Sequence, residues 1–195
     1  MIKIGITGGI GSGKSVICRI FSVLGIPVYD ADREAKNLAN TDSNIREQLI
    51  SVAGPDVYSA DGLNRPYLSE LIFNDSQMLD KVNRIIHPRV AVHYLNWTRQ
   101  HENYPYTIHE SALIFESGLE GVFDKIIVVS APENLRMRRV LSRSNMTMDK
   151  FHRIIQSQLP ENEISGKADY VIVNDEKSLL LPDVLKLHEL FMNTK

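Results

Sequence analysis

Apolar positions along the chain repeat in two ways. Short alternating or continuous runs mark strands, and between them the spacing is helical. Ile2, Ile4 and Ile6 make a first strand, and Val16, Ile17, Ile20, Phe21 and Leu24 then line one face of a helix. Gly25-Ile26-Pro27 breaks that pattern, and Val28-Tyr29 begins a short second strand running out at Asp30-Ala31-Asp32. Residues 33–100 read as mostly helical, with breaks near 40–42 and 54–55, and a turn or short hairpin over 57–66 around Ala60-Asp61-Gly62. From Tyr67 the positions Leu68, Leu71, Ile72, Met78, Leu79, Val82, Ile85 and Ile86 predict a long helix, interrupted at His87-Pro88. Strands return at 106–109, closed by Glu110, and at 125–129, a continuous apolar run of the kind a parallel strand buried on both faces needs. Ala131-Pro132-Glu133 opens a further helix, another follows from Asp149 to Gln158 and ends at Pro160, Tyr170 to Val173 makes a last strand, and an amphipathic helix covers 178–192.

Strands alternating with helices predict an α/β fold with a doubly wound parallel sheet. The helical stretch between the second and third strands is an inserted lobe, a natural place to recognise a second substrate. The expected organisation is one domain: a core of 1–32, 104–135 and 168–195, a helical lobe over 33–103, and a basic region over 136–167. No internal repeat or low-complexity tract occurs.

Composition narrows the function. The chain has 195 residues, 43% hydrophobic and 24% charged, with a formal net charge of −2, which argues against a general nucleic-acid or membrane-surface binder. No apolar run is long enough to span a bilayer, and Met1 leads straight into the first strand rather than into a leader, so a cytoplasmic protein is expected. The single cysteine, Cys18, excludes an intramolecular disulfide and suits a reducing compartment; its place in the first helix predicts a buried small hydrophobe. Tyr94 and Trp97 likewise read as core.

The chemistry gathers at the strand ends. Gly8, Gly13, Lys14 and Ser15 stand at the spacing G-x-x-x-x-G-K-[ST], between a strand and a helix. Glycines let the backbone wrap phosphate, successive N–H groups and the helix N-terminus hold the anion, the lysine reaches the β- and γ-phosphates, and the hydroxyl suits Mg²⁺. Asp32 is either a cap for the next helix or a catalytic carboxylate, and both roles stay open. Glu110 ends its strand where a carboxylate could serve the Mg²⁺ shell. Arg136, Arg138, Arg139 and Arg143 lie close together, and 136, 139 and 143 share a helical face, either as a solvated basic stripe or as a lid closing over phosphates. Arg153 continues the basic theme in the next helix. An Asn-Lys-x-Asp guanine-reading pattern is absent.

With these residues in view, nearly the whole chain resembles the dephospho-coenzyme A kinase family. The resemblance is carried by Thr7-Gly8-Gly9-Ile10-Gly11-Ser12-Gly13-Lys14-Ser15, Asp30-Ala31-Asp32, Ile86-His87-Pro88, Leu113-Ile114-Phe115-Glu116-Ser117-Gly118-Leu119, the Arg139 and Arg143 pair, Gln158-Leu159-Pro160, and Ala168-Asp169-Tyr170-Val171-Ile172. It implies transfer of the ATP γ-phosphoryl to the ribose 3′-hydroxyl of dephospho-coenzyme A, the last step of coenzyme A synthesis. It further implies ATP held by Gly9, Ile10, Gly11, Ser12, Gly13, Lys14, Ser15 and Val16, and Mg²⁺ on Ser15. Asp32 would be the base, Lys14, Arg139 and Arg143 would serve the phosphates, with Arg136 a further lid residue, and Asp32 and His87 would meet the acceptor. Val16, Ala112 and Glu110 depart from the family's usual Thr, Pro and Asp. Another small-molecule kinase of this fold, or a nucleotide-dependent switch, would share the loop but not the whole motif series.

Overall fold

The computed structural model describes residues 1–143 and 146–194, so 144 and 145, within the basic region expected over 136–167, and residue 195 lie outside the described residues. In chain order the elements are β1 (Ile2–Thr7), α1 (Lys14–Val23), β2 (Val28–Asp30), α2 (Ala31–Thr41), α3 (Ser43–Ala53), β3 (Tyr58–Ser59), β4 (Gly62–Leu63), α4 (Arg65–Asn74) and α5 (Ser76–Gln100). They continue as β5 (Tyr106–Glu110), β6 (Lys125–Ser130), α6 (Glu133–Arg143), α7 (Met148–Gln156), α8 (Glu161–Lys167), β7 (Tyr170–Val173) and α9 (Leu180–Asn193). The chain divides into two compact units, residues 1–30 with 101–195, and residues 31–100.

The first unit is built on a parallel sheet of five strands in the order β2-β5-β1-β6-β7. β1 lies at its centre, with Ile6 level with Glu110 on one side and Thr7 level with Val128 on the other. Asp30 is level with Glu110 across β2 and β5, so both carboxylates reach the carboxyl edge where the phosphate-loop pattern begins. Alternation explains the apolar run of β6: Ile127 and Val129 join Ile4, Ile6, Phe21 and Phe191 in one core layer, while Ile126 and Val128 join Ile114, Phe115 and Ile164 in the other. Phe21, fully buried, alone removes enough apolar surface to contribute about 2 kcal/mol.

The second unit packs α2, α3, α4 and α5 around Ile45, Leu49, Val57, Val82 and Ile85, with β3 and β4 as an antiparallel hairpin. Here the structure corrects the sequence reading. α5 runs through Pro88 without ending, and the break falls earlier, at Asp75. Asp75 Oδ1 accepts the N–H groups of Gln77 and Met78 at 2.8 and 3.1 Å and so opens α5, while buried Val82, Ile85 and Tyr94 anchor the helix on both sides of the proline. Tyr94 is core, as expected, with Trp97 stacked on it at 6.2 Å. Two further differences concern boundaries. α2 already begins at Ala31, which puts Asp32 inside its first turn rather than at the cap. The helix expected over 149–158 stops at Gln156, and a separate α8 follows Pro160, too short and polar to show an apolar period.

Candidate active site

The loop after β1 ends at Gly13, whose left-handed backbone (φ 98°) starts α1 with no side-chain cap and no acid in the first turn. The first N–H groups of α1 and its positive pole are therefore left to an anion. Glycine is needed at 13 twice over, because a Cβ there would also come within 2.2 Å of Asn174 Nδ2. Lys14 Nζ lies across the loop and donates to the carbonyls of Gly8 and Gly9 at 2.7 and 3.4 Å, so its charge sits in the concavity. Ser12 N donates to Gly9 O at 3.1 Å and tightens the turn. Val16, counted in the sequence among the apolar face of α1, is instead 44% exposed beside Ser15, and Ile17, Cys18 and Phe21 carry the burial.

Ser15 Oγ donates to Glu110 Oε1 at 2.7 Å. Mg²⁺ takes oxygen ligands and keeps several of its waters, so the Ser15 hydroxyl and the Glu110 carboxylate beside the loop are a donor set that fits it. Among the described residues no group of three or more His, Cys, Asp or Glu could hold a metal ion by itself. Cys18 is buried, and burial first, then the nearby Glu110 charge, pushes its thiol pKa far up. It is a core residue, not a nucleophile. His109, on β5 beside Glu110, is also buried, stacked on Tyr29 at 5.2 Å and tilted against Phe123 at 5.0 Å, and desolvation pulls its pKa down to about 3.

The basic helix face separates into different environments. Arg139 Nη1 donates to Gly11 O and Ser12 O, both at 3.3 Å, and Nη2 to Asn174 O and Oδ1 at 3.2 and 3.0 Å. Its Nε reaches Glu176 at 3.2 Å, and Glu176 also pairs with exposed Arg138. Arg139 is thus fastened to the loop. Arg143 is exposed in the last turn of α6, and Arg136 is buried. Asn174, just past β7, donates from Nδ2 to Ser12 O at 2.8 Å. Gln158 accepts the Ile10 N–H at 3.1 Å and donates to Ala112 O at 3.4 Å, while Glu116 accepts the Leu159 N–H at 2.9 Å. Sequence reading assigned no role to Asn174 or Gln158. Their only signals were a polar residue at a strand's carboxyl end and membership of the Gln158-Leu159-Pro160 motif.

The structure therefore brings Gly9, Ile10, Gly11, Ser12, Gly13, Lys14, Ser15, Glu110 and Arg139 together within the sheet unit. Asp32 and His87 belong to the helical unit. Asp32 is exposed in the first turn of α2, immediately beyond β2. His87 lies on α5; much of the residue is exposed, yet local desolvation lowers its pKa. Among the described residues no helix is long and apolar enough to cross a membrane.

Comparison with known proteins extends the likeness over almost the full length. The family model described as dephospho-CoA kinase matches residues 2–179. A dephospho-CoA kinase of Bacteroides fragilis is 41% identical over 186 residues, covering 95% of this chain and 91% of the relative. That of Porphyromonas gingivalis is 40% identical over 190 residues, covering 97% and 94%. A crystal structure from Thermus thermophilus superposes with a TM-score of 0.84 at 31% identity, covering 100% of this chain and 98% of that one. The dephospho-CoA kinase of Campylobacter jejuni, with a TM-score of 0.71 at 23% identity and coverage of 96% and 95%, shares the fold.

Proposed function

Since the chain belongs to the dephospho-CoA kinase family, we propose that its own residues divide the phosphoryl transfer from ATP to dephospho-CoA as follows. The activity is that of a kinase acting on an alcohol group, in the final step of coenzyme A biosynthesis. The loop from Gly9 to Ser15, with Val16, binds the donor phosphates, and Lys14 moves from the Gly8 and Gly9 carbonyls to the β- and γ-phosphates. Ser15 and Glu110 would hold Mg²⁺, which would supply charge neutralisation at the donor phosphates.

Asp32 is the base that takes the proton from the ribose 3′-hydroxyl. Its support is the Asp30-Ala31-Asp32 motif and its exposed place just beyond the carboxyl end of β2. Arg139 secures the loop through Gly11 and Ser12, and Arg143 belongs to the lid. The helical unit carries acceptor-binding residues, His87 among them. The transition state is loose, so most of this machinery positions groups and neutralises charge. The observation that carries the reading is the Ser15–Glu110 hydrogen bond, which sets a carboxylate and the loop hydroxyl on one oxygen pair beside Lys14. The test is ADP formation from Mg·ATP with dephospho-CoA against nucleoside and sugar acceptors. ADP is expected with dephospho-CoA and a product of coenzyme A mass; ADP only with another acceptor overturns the assignment.

A further inference from the structure

Arg136 is a buried cation that the reaction as described above does not use. Its side chain is only 8% exposed, and its sole ionic partner among the described residues is Glu161, at 3.6 Å between Nη2 and Oε2. Nε is buried with no hydrogen-bond partner among the described residues. A guanidinium taken out of water with one long ion contact is costly, because its donors lose hydration without replacing it. Arg139, one turn on, has its donors committed to Gly11, Ser12, Asn174 and Glu176, and Arg143 points from the exposed end of the helix.

The place of Arg136 gives that cost a use. A Cβ on Gly9 would lie 1.9 Å from Arg136 Nη1 and 3.7 Å from Gln158 Oε1, so the guanidinium occupies the space a side chain at position 9 would fill. The next peptide in the loop, the Ile10 N–H, is held by Gln158. A cavity of about 450 Å³ opens at this point, lined by Gly9, Glu133, Arg136, Gln158 and Glu161 among others. Glu161 is itself fastened, since it accepts a hydrogen bond from Ser130 Oγ at the end of β6. An under-partnered cation, the start of the phosphate loop and an open cavity thus coincide.

We propose that Arg136 is a further catalytic residue of this chain, donating to the oxygens of the transferring phosphoryl group from beside Gly9, and that Glu161 is its positioning residue. The inference rests on the kinase reading above. In the transfer the bond from the γ-phosphorus to the bridging oxygen breaks, the bond to the acceptor oxygen forms, and the hydroxyl proton leaves to Asp32. Arg136 stays a guanidinium throughout and neutralises charge on the equatorial oxygens.

The test compares wild type with Arg136→Gln, Arg136→Lys, Arg136→Gly and Glu161→Gln, measuring steady-state turnover and calorimetric affinities for ATP and ADP. Glu161→Gln is expected to lower kcat by less than Arg136→Gln does and to leave turnover unchanged in the Arg136→Gln background, and an additive loss there overturns its positioning role. Removing one such donor lowers kcat ~100-fold. The expected pattern for Arg136→Gln is a fall of that size, with ATP affinity reduced more than ADP affinity. Arg136→Lys recovers part of the loss, and free guanidinium partly restores turnover to Arg136→Gly. A kcat within about twofold of wild type in Arg136→Gln overturns the proposal, as does an equal fall in ATP and ADP affinity without guanidinium rescue. If Arg136→Gln does not fold, the ATP-to-ADP affinity ratio of Arg136→Lys decides in the same way. The ratio does not depend on the acceptor, so absence of turnover with dephospho-CoA in wild type refutes the kinase assignment alone.

Discussion

On the proposed role of Asp32 as the base, one oxygen replaced by nitrogen separates binding a donor from using it. Asp32→Asn keeps size and loses the proton acceptor, and a general base contributes ~10²- to 10⁴-fold, so turnover is expected to fall by that order while nucleotide affinity, measured by titration, hardly moves. Equal loss of ATP affinity would mark Asp32 as a binding residue. Ser15 and Glu110 share a different expectation: with their hydrogen bond at 2.7 Å, Glu110→Gln raises the Mg²⁺ concentration needed for half-maximal rate and leaves saturating-Mg²⁺ turnover closer to wild type than Ser15→Ala does. His109 sets a pH dependence. Its folded pKa is pulled down to about 3 from 6.5 in the open chain, because burial disfavours the imidazolium. The unfolded chain binds that proton first, so stability is lost as pH falls from about 6.5 towards 3, and His109→Phe flattens denaturation midpoints over that window. Single residues were unevenly legible. Lys14 and Ser15 declare themselves because their spacing is local, whereas Arg136, Arg139 and Arg143 look alike at helical spacing. What packs on each, Gly9 and Glu161, Gly11 with Asn174, or water, separates them.

Among the elements, α3 and α5 are joined through one carboxylate. Asp42 Oδ1 caps α3 by accepting the N–H groups of Asn44 and Ile45 at 2.9 and 3.2 Å, while Oδ2 takes Arg89 of α5 at 2.6 Å. Desolvation alone would raise the Asp42 pKa, but Arg89 and the capping N–H groups outweigh it and hold it below the usual 3.8. Its stabilisation is therefore present above that value and lost as pH falls through the lowered folded pKa. Asp42→Ala removes cap and partner together and is expected to cost about 2 kcal/mol, read as a fall in chemical-denaturation free energy of the helical unit. The Asn40-Thr41-Asp42 break was visible in sequence because a cap is a local device. Pro88 misled for the opposite reason: proline's cost within a helix is local, but the burial of Val82 and Ile85 that offsets it comes from distant residues of the unit, Ile45, Leu49 and Val57 among them. α8 escaped notice since it buries only Ile164 and follows no period.

For the molecule as a whole, donor binding and stability are one equilibrium. A ligand held only by the folded loop stabilises it by about 2.7 kcal/mol at a hundredfold excess over Kd, so Tm is expected to climb with ATP concentration, and hydrogen exchange at the amides of 8–15 is expected to slow. A Tm independent of ATP would contradict the loop's assignment. By itself the sequence determined the strand and helix alternation, the parallel α/β class, the phosphate loop and the family, because periodicity and contiguous motifs are local properties of the chain. Tertiary structure alone decided the strand order, which sets Asp30 and Glu110 level and brings Glu110 to Ser15 across 95 residues of chain. It also decided that Gln158 and Asn174 hold the loop and that Arg136 lies buried against Gly9. Those relations depend on which surfaces meet when apolar faces are buried, and no spacing along the chain encodes them.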